Sequence, residues 1–185
     1  LVGRDRSKNF TKLWYDTISK PLYDRVLMGE YPPGSPFKTL TALIGLHENV
    51  VDTLDTFACY HGYRYGNRTH NWSSLATISN AIGQGEVLLT PMQMANFTAA
   101  IANRGYYYTP HIIKNVIGPD TIPQKFRKKH YTTVEPEHFK PVVEGMFQVY
   151  KRGTASSIQI PGIDICGKTG TAENFTKIDG KRVQL

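Results

Sequence analysis

Apolar side chains recur at helical spacing in four stretches of this chain, and each stretch predicts a helix with one face toward a core. Pro21 to Gly29 carries Leu22, Val26 and Leu27, and predicts a short helix packed on the core. After Ser35, the positions Phe37, Leu40, Ala42, Leu43, Ile44 and Leu46 fit a largely buried helix. The third helix starts at Thr90-Pro91, a hydroxyl cap followed by proline where its missing N–H is not needed. Met94, Ala95, Thr98, Ile101 and Ala102 form its stripe, Gly105 ends it, and its methionines are packing residues. The fourth, Pro136 to Arg152, turns Val142, Val143, Met146, Phe147, Val149 and Tyr150 inward and stops at Gly153.

The intervening stretches lack that period. Leu1 to Lys20 is polar and mixed, and its Ser7-Lys8-Asn9 triplet reads as a surface turn. His47 to Asn67 is loop-rich and aromatic, and Thr77 to Glu86 is a glycine-containing loop. Tyr106 to Val116 has the composition of a strand, and Gly118 to Lys129 that of a turn-rich basic loop. Ile163 to Ala172 predicts a last strand, with a turn further on at Asp179-Gly180.

Composition narrows the class without naming it. With 185 residues, 40% of them hydrophobic, the chain suffices for one domain with a sizeable core. No apolar run approaches the roughly 18 residues of a membrane span. The net charge of +7 would suit a polyanion, but Lys and Arg are scattered, with one run at Lys125 to Lys129. That run reads as a solvated loop, attraction to an anionic cell-wall glycan being the functional option. Cys59 and Cys166 are too few for a disulfide framework. Cys59-x-His61, with His70 as a third candidate, falls short of the about four ligands a structural zinc needs, so these read as loop residues.

Candidate chemistry sits at Tyr31-Pro32-Pro33-Gly34-Ser35-Pro36-Phe37-Lys38. Residues three apart share a helical face, so Ser35 and Lys38 pair a hydroxyl nucleophile with a possible base. The prolines and Gly34 end what precedes, and Pro36 suits a first helical turn. Ser35 thus falls at a helix N-terminus, where free backbone N–H groups favour an oxyanion. Burial of the helix would disfavour the charged ammonium and leave Lys38 able to take the Ser35 proton. Taken alone, Ser-x-x-Lys is common by chance; a second motif, Lys168-Thr169-Gly170, changes its meaning.

Ser-x-x-Lys followed far downstream by Lys-Thr-Gly is the signature pair of penicillin-binding proteins and active-site serine β-lactamases. Leu22-Tyr23-Asp24-Arg25 leading to Gly29-Glu30-Tyr31, then Ala81-Ile82-Gly83-Gln84-Gly85-Glu86 with Thr90-Pro91-Met92-Gln93-Met94-Ala95, then Gly167 to Ala172, extend the match. Together these blocks resemble the transpeptidase domain of class B penicillin-binding proteins, nearest to the elongation type called penicillin-binding protein 2. The resemblance implies an α/β (α+β) fold, an antiparallel sheet flanked by helices, incomplete in this chain. It also implies a D,D-transpeptidase that acylates Ser35 with a peptidoglycan stem peptide and passes the acyl group to an amine, with β-lactams as mimics. Lys38 and Lys168 join Ser35 as catalytic residues, and Thr169, Gly170 and Thr171 bind substrate. The backbone N–H groups of Ser35 and Thr171 form the oxyanion hole. No cofactor or metal and no nucleic acid is implied. The implied partners are stem peptides, β-lactams and a membrane glycosyltransferase of the elongation machinery. The implied place is the bacterial cell envelope, at the outer face of the cytoplasmic membrane, with this fragment itself soluble. Rival readings are a β-lactamase or D,D-carboxypeptidase, told apart by hydrolytic turnover, and a non-catalytic penicillin sensor, told apart by absence of transfer to an amine.

One departure from the pattern is large. The family carries Ser-x-Asn or Ser-x-Asp between the two motifs, and no such triplet stands between Lys38 and Gly83 at the right spacing. Ser73-Ser74-Leu75 and Ser79-Asn80-Ala81 are misplaced for it, and Tyr65-Gly66-Asn67, a class D β-lactamase look-alike, reads as a turn. The interval is also too short for the helical subdomain that normally intervenes. We therefore expect an omitted segment near Asn67-Arg68 within a partial domain spanning 1–185. An N-terminal anchor, a pedestal domain and C-terminal strands are expected to be absent as well.

Overall fold

The computed structural model describes residues 3, 5–56, 72–118, 121–171, 175–178 and 181–184. Its helices are α1 (Arg6–Trp14), α2 (Arg25–Met28), α3 (Lys38–His47), α4 (Trp72–Ala81), α5 (Pro91–Ala102) and α6 (Pro136–Lys151). Strands β1 (Tyr106–Tyr108) and β2 (Lys129–Tyr131) form one antiparallel pair, and β3 (Phe175–Ile178) and β4 (Lys181–Gln184) another. Among the described residues no helix is long and apolar enough to cross a membrane.

The core lies where α3, α5 and α6 meet. Leu43, Ile101, Phe139, Val142 and Met146 are buried there, with Leu46, Phe97, Val134 and Val143 packed around them. Helix α5 begins as its sequence predicts. Thr90 Oγ1 accepts the Gln93 N–H at 3.2 Å, and Gln93 Oε1 accepts the Thr90 N–H at 2.8 Å. This reciprocal pair satisfies two donors that a helix start leaves open. Gly105 ends the helix at φ 107°. A side chain there would also meet the Phe139 ring at 3.1 Å, so the turn and the core constrain the same residue. The β1–β2 pair holds Tyr107 opposite His130, their rings stacked at 5.3 Å.

Several expectations are corrected. Ser7 to Asn9 lie on helix α1 rather than in a turn, and the helix is supported by the Phe10–Trp14 stack one turn apart. Helix α2 is a single turn, and Leu22, Val26 and Leu27 remain 40 to 58% exposed instead of meeting the core. On α5 the inward side chains are Phe97, Ala100 and Ile101, whereas Ala95, Thr98 and Ala102 face outward. Only Tyr106 to Tyr108 of the predicted 106–116 strand finds a ladder partner. Helix α3 buries just Thr39 and Leu43, because among the described residues α6 covers one side of it. Residues 163–171 join no ladder among the described residues, and their backbone is tied instead by an Ile160–Ile163 bridge and by the Gly167 N–H, which donates to the Met146 carbonyl.

Candidate active site

The approach to Ser35 is held by the stretch that follows α4. Tyr31 and Leu89 exchange two backbone hydrogen bonds, of 3.0 and 2.9 Å. Gly34 donates its N–H to the Gly83 carbonyl at 2.7 Å. Its φ of 63° is left-handed, a conformation that glycine adopts without penalty. Thr41 Oγ1, one turn into α3, donates to the Ala81 carbonyl at 2.7 Å.

Ser35 opens a 3-10 turn, Ser35–Phe37, that runs into α3 at Lys38. In a 3-10 turn side chains three apart eclipse, which sets Ser35 and Lys38 over one another. The serine stands at a helix start, as its neighbours predict. Lys38 is exposed, so the expected apolar burial of its side chain is not provided among the described residues. The one-sided cover of α3 is the reason. Among the described residues no hydrogen bond joins the Ser35 hydroxyl to Lys38 or Lys168.

The second motif docks on α6. Gly167 donates its N–H to the Met146 carbonyl at 3.2 Å, and a Cβ there would lie 2.8 Å from the Tyr150 ring. Glycine thus lets the extended chain lie flush on the helix. Lys168 is half-buried, and its Nζ donates to the Thr169 carbonyl at 3.0 Å. Thr169 is exposed, and its Oγ1 lies 3.0 Å from Thr154 Oγ1. Gly170 lies against the first motif, where a Cβ would be 2.6 Å from Pro36 Cδ. Thr171 is exposed beside it.

The fold therefore brings the two motifs together. Lys38 and Lys168 line one cavity of about 350 Å³ between α3 and α6, walled by Thr39, Ala42, Val142 and Met146. Two lysine side chains over an apolar wall suit an anionic substrate, whereas Ser35, at the start of the turn that leads into α3, is not among the residues lining this cavity. A larger cavity of about 510 Å³, between α6 and Pro161 to Ile165, holds none of these residues. Among the described residues no group of three or more His, Cys, Asp or Glu could hold a metal ion. Cys59, His61, His70 and the Tyr65-Gly66-Asn67 triplet lie outside the described residues. Sequence reasoning missed Thr154, whose only signal was a hydroxyl just beyond the Gly153 stop. It also missed Pro36 as a wall for Gly170.

The fold has known counterparts. Penicillin-binding protein 2 of Pseudomonas aeruginosa, solved in complex with WCK 5153, matches at TM-score 0.60 and 24% identity over 80% of this chain and 48% of its own. Penicillin-binding protein A of Mycobacterium tuberculosis, solved as an imipenem acyl-enzyme, matches at TM-score 0.66 and 22% identity over 91% and 54%. The architecture is thus that of a penicillin-binding protein transpeptidase domain, an α/β fold that is incomplete here.

Sequence comparison gives the family directly. The family model described as the penicillin binding protein transpeptidase domain matches residues 2–74 and 61–184, and the chain belongs to that family. Among curated relatives, the peptidoglycan D,D-transpeptidase MrdA of Acinetobacter baumannii is 26% identical over 90% of this chain. The peptidoglycan D,D-transpeptidase PbpA of Mycobacterium tuberculosis is 34% identical over 56% of it. The chain spans 36% of the first relative's length and 21% of the second's.

Proposed function

We propose that this chain is part of a peptidoglycan D,D-transpeptidase of the cell-wall elongation type, working through a Ser35 acyl-enzyme. Ser35 Oγ attacks the carbonyl carbon of the penultimate D-alanine of a stem peptide, and its proton passes to Lys38 in its neutral amine form. The peptide bond breaks and D-alanine leaves with the proton held by Lys38. An amine of a neighbouring stem then attacks the ester, the Ser35–acyl bond breaks as the new amide forms, and the amine's proton returns through Lys38 to Ser35 Oγ. Lys168 supplies positive potential beside the pair, the Thr169 and Thr171 hydroxyls hold the terminal carboxylate, and Gly170 lets the substrate backbone lie close. The Ser35 and Thr171 N–H groups stabilise the oxyanion, a contribution of several kcal/mol for two such donors, on the order of 3 for each. The observation that carries this reading is the meeting of the two motifs, with both lysines on one cavity and Gly170 against Pro36. β-Lactams would acylate Ser35 in the same way, and the acyl-enzyme form of the mycobacterial neighbour supports slow release over β-lactamase turnover. On this reading the whole protein works at the outer face of the cytoplasmic membrane, anchored there, beside a membrane glycosyltransferase.

The same reading includes an interruption of the domain near Asn67-Arg68. The alignment with the Acinetobacter relative runs over 245 residues, whereas 90% of a 185-residue chain is about 167, so about 78 of its positions face a gap. The family match in two overlapping pieces and the exposure of Lys38 support the same conclusion. The missing part would carry the Ser-x-Asn motif and the apolar cover over α3.

The test is a peptide ending in D-alanyl-D-alanine, offered with a D-amino acid as acceptor and followed by mass spectrometry. A transfer product accompanied by D-alanine release supports the transpeptidase. Hydrolysis with no transfer would assign a carboxypeptidase instead, and penicillin adducts without either product would assign a sensor.

A further inference from the structure

Asn80 is a residue to which the chemistry above gives no part, yet it shapes the loop that holds the nucleophile. It stands near the end of α4, half-buried, and its Oδ1 accepts the Glu86 N–H at 2.8 Å. The backbone between them is folded tightly. Gly83 donates to the Asn80 carbonyl and Gln84 to the Ser79 carbonyl, each at 2.9 Å, and Gly83 takes a φ of 74°. A Cβ on Gly85 would fall 1.9 Å from Asn80 Oδ1, so the loop closes directly on that carboxamide. The opposite side of the loop meets the first motif. The Gly83 carbonyl accepts the Gly34 N–H at 2.7 Å, and a Cβ on Gly83 would lie 2.2 Å from the Gly34 carbonyl oxygen and 2.7 Å from Phe37 Cβ.

We propose that Asn80 is a positioning residue for acyl transfer. Its carboxamide folds residues 81–86 into the shape that presents the Gly83 carbonyl to Gly34, and thereby fixes the backbone N–H and Oγ of Ser35. The inference rests on the reading of Ser35 as the nucleophile. Its physical basis is that Gly34, left-handed and without a side chain, has on its own side of the site only the Phe37 N–H, accepted by its carbonyl at 2.9 Å, to hold its conformation. The hydrogen bond that Gly34 donates to the Gly83 carbonyl supplies that restraint one residue before the reacting hydroxyl, and displacements of about 1 Å at such a point can cost about 100-fold in rate.

The test compares Asn80→Leu, which has similar size and no acceptor, with Asn80→Asp, which keeps an acceptor oxygen. Three quantities are read in each protein: amide hydrogen exchange at Gly34 and Glu86, the acylation rate constant with a fluorescent penicillin, and the melting temperature. In Asn80→Leu, exchange at both amides should rise roughly fivefold, the factor matching the net worth of one hydrogen bond. Acylation should fall about tenfold or more, and Asn80→Asp should restore both. Should Asn80→Leu fail to fold, Gly85→Ala, which leaves Asn80 in place and pushes its carboxamide out of the loop, should give the same two changes. Unchanged exchange at Gly34 would overturn the coupling. Faster exchange with undiminished acylation would overturn the positioning role. A parent protein that shows slow Gly34 exchange but takes no adduct at Ser35 would remove the nucleophile reading, and this inference with it.

Discussion

Replacing Gly170 by alanine tests how closely the Lys-Thr-Gly segment must approach the serine. The added Cβ would lie 2.6 Å from Pro36 Cδ and 2.9 Å from Cγ, where ordinary contact begins at 3.4 Å. The opposing atoms belong to a closed ring that cannot swing away. Pro36 is also held by its carbonyl, which accepts Thr39 Oγ1 at 2.7 Å. The segment carrying Gly170 and Thr171 is exposed and without a ladder partner among the described residues, so it is the part that moves, by roughly 1 Å. Moving an exposed segment costs little stability, about 0.5 kcal/mol, which is a melting shift of about 2 °C. On the proposed mechanism it also carries Thr169, Thr171 and Lys168 away from the position in which they serve Ser35. A misplacement of that size costs about 100-fold in rate, or about 2.7 kcal/mol of transition-state stabilisation. Time courses of labelling by a fluorescent penicillin give the acylation rate constant, and circular dichroism gives the melting temperature. An acylation rate within about twofold of the parent, at unchanged stability, would refute the argument that contact between Gly170 and Pro36 sets the site's geometry.

Other substitutions examine the scaffold, by thermal or denaturant unfolding unless stated. Phe139→Ala, emptying the centre of the core at 2% exposure, should cost about 3 to 5 kcal/mol. Thr90→Ala removes one half of the capping box on α5 and should cost about 1 kcal/mol. Gly145→Ala, within α6 and with nothing near its would-be Cβ, should instead stabilise by about 0.5 to 1 kcal/mol. Asp16 accepts hydrogen bonds from the Ser19 hydroxyl and N–H and from the Ile18 N–H, which hold its carboxyl below the ordinary value. Its contribution to the 16–19 turn is present above the ordinary carboxylate value and is lost as pH falls through the lowered one. An NMR titration of Ser19→Ala should show the Asp16 midpoint moving back up.

The elements that sequence foretold best are those whose signal is local. Thr90-Pro91 and Gly105 fix the ends of α5 by backbone chemistry, and the 136–152 period gives the extent of α6 but only part of its face. Val142 and Met146 are buried, Val143, Phe147, Val149 and Tyr150 are half-buried, and Phe139, outside the expected stripe, is buried too. The Ser35 turn is signalled locally by Gly34 and Pro36, although the Gly83 carbonyl that holds Gly34 lies far along the chain. What sequence could not show depends on partners distant in the chain. Whether Leu22, Val26 and Leu27 are covered, or whether residues 163–171 join a ladder, is decided by neighbours that periodicity does not contain. The Lys38 environment is the same kind of case, because an apolar α3 sequence states what the helix can bury and not what is present to cover it. The contacts of Thr154 with Thr169 and of Gly170 with Pro36 link residues whose spacing carries no signal at all. The family blocks served where periodicity fell silent, since they join Ser35 to Lys168 before any distance is known.

The proposed chemistry stands or falls on Ser35 as the acylated nucleophile. Digestion and tandem mass spectrometry after exposure to benzylpenicillin, with Ser35→Ala in parallel, test it most directly. A stable penicilloyl adduct is expected on the peptide containing Tyr31 to Lys38, localised to Ser35 and absent from the variant. An adduct on another residue, or a folded protein that neither takes an adduct nor hydrolyses the drug, would contradict it.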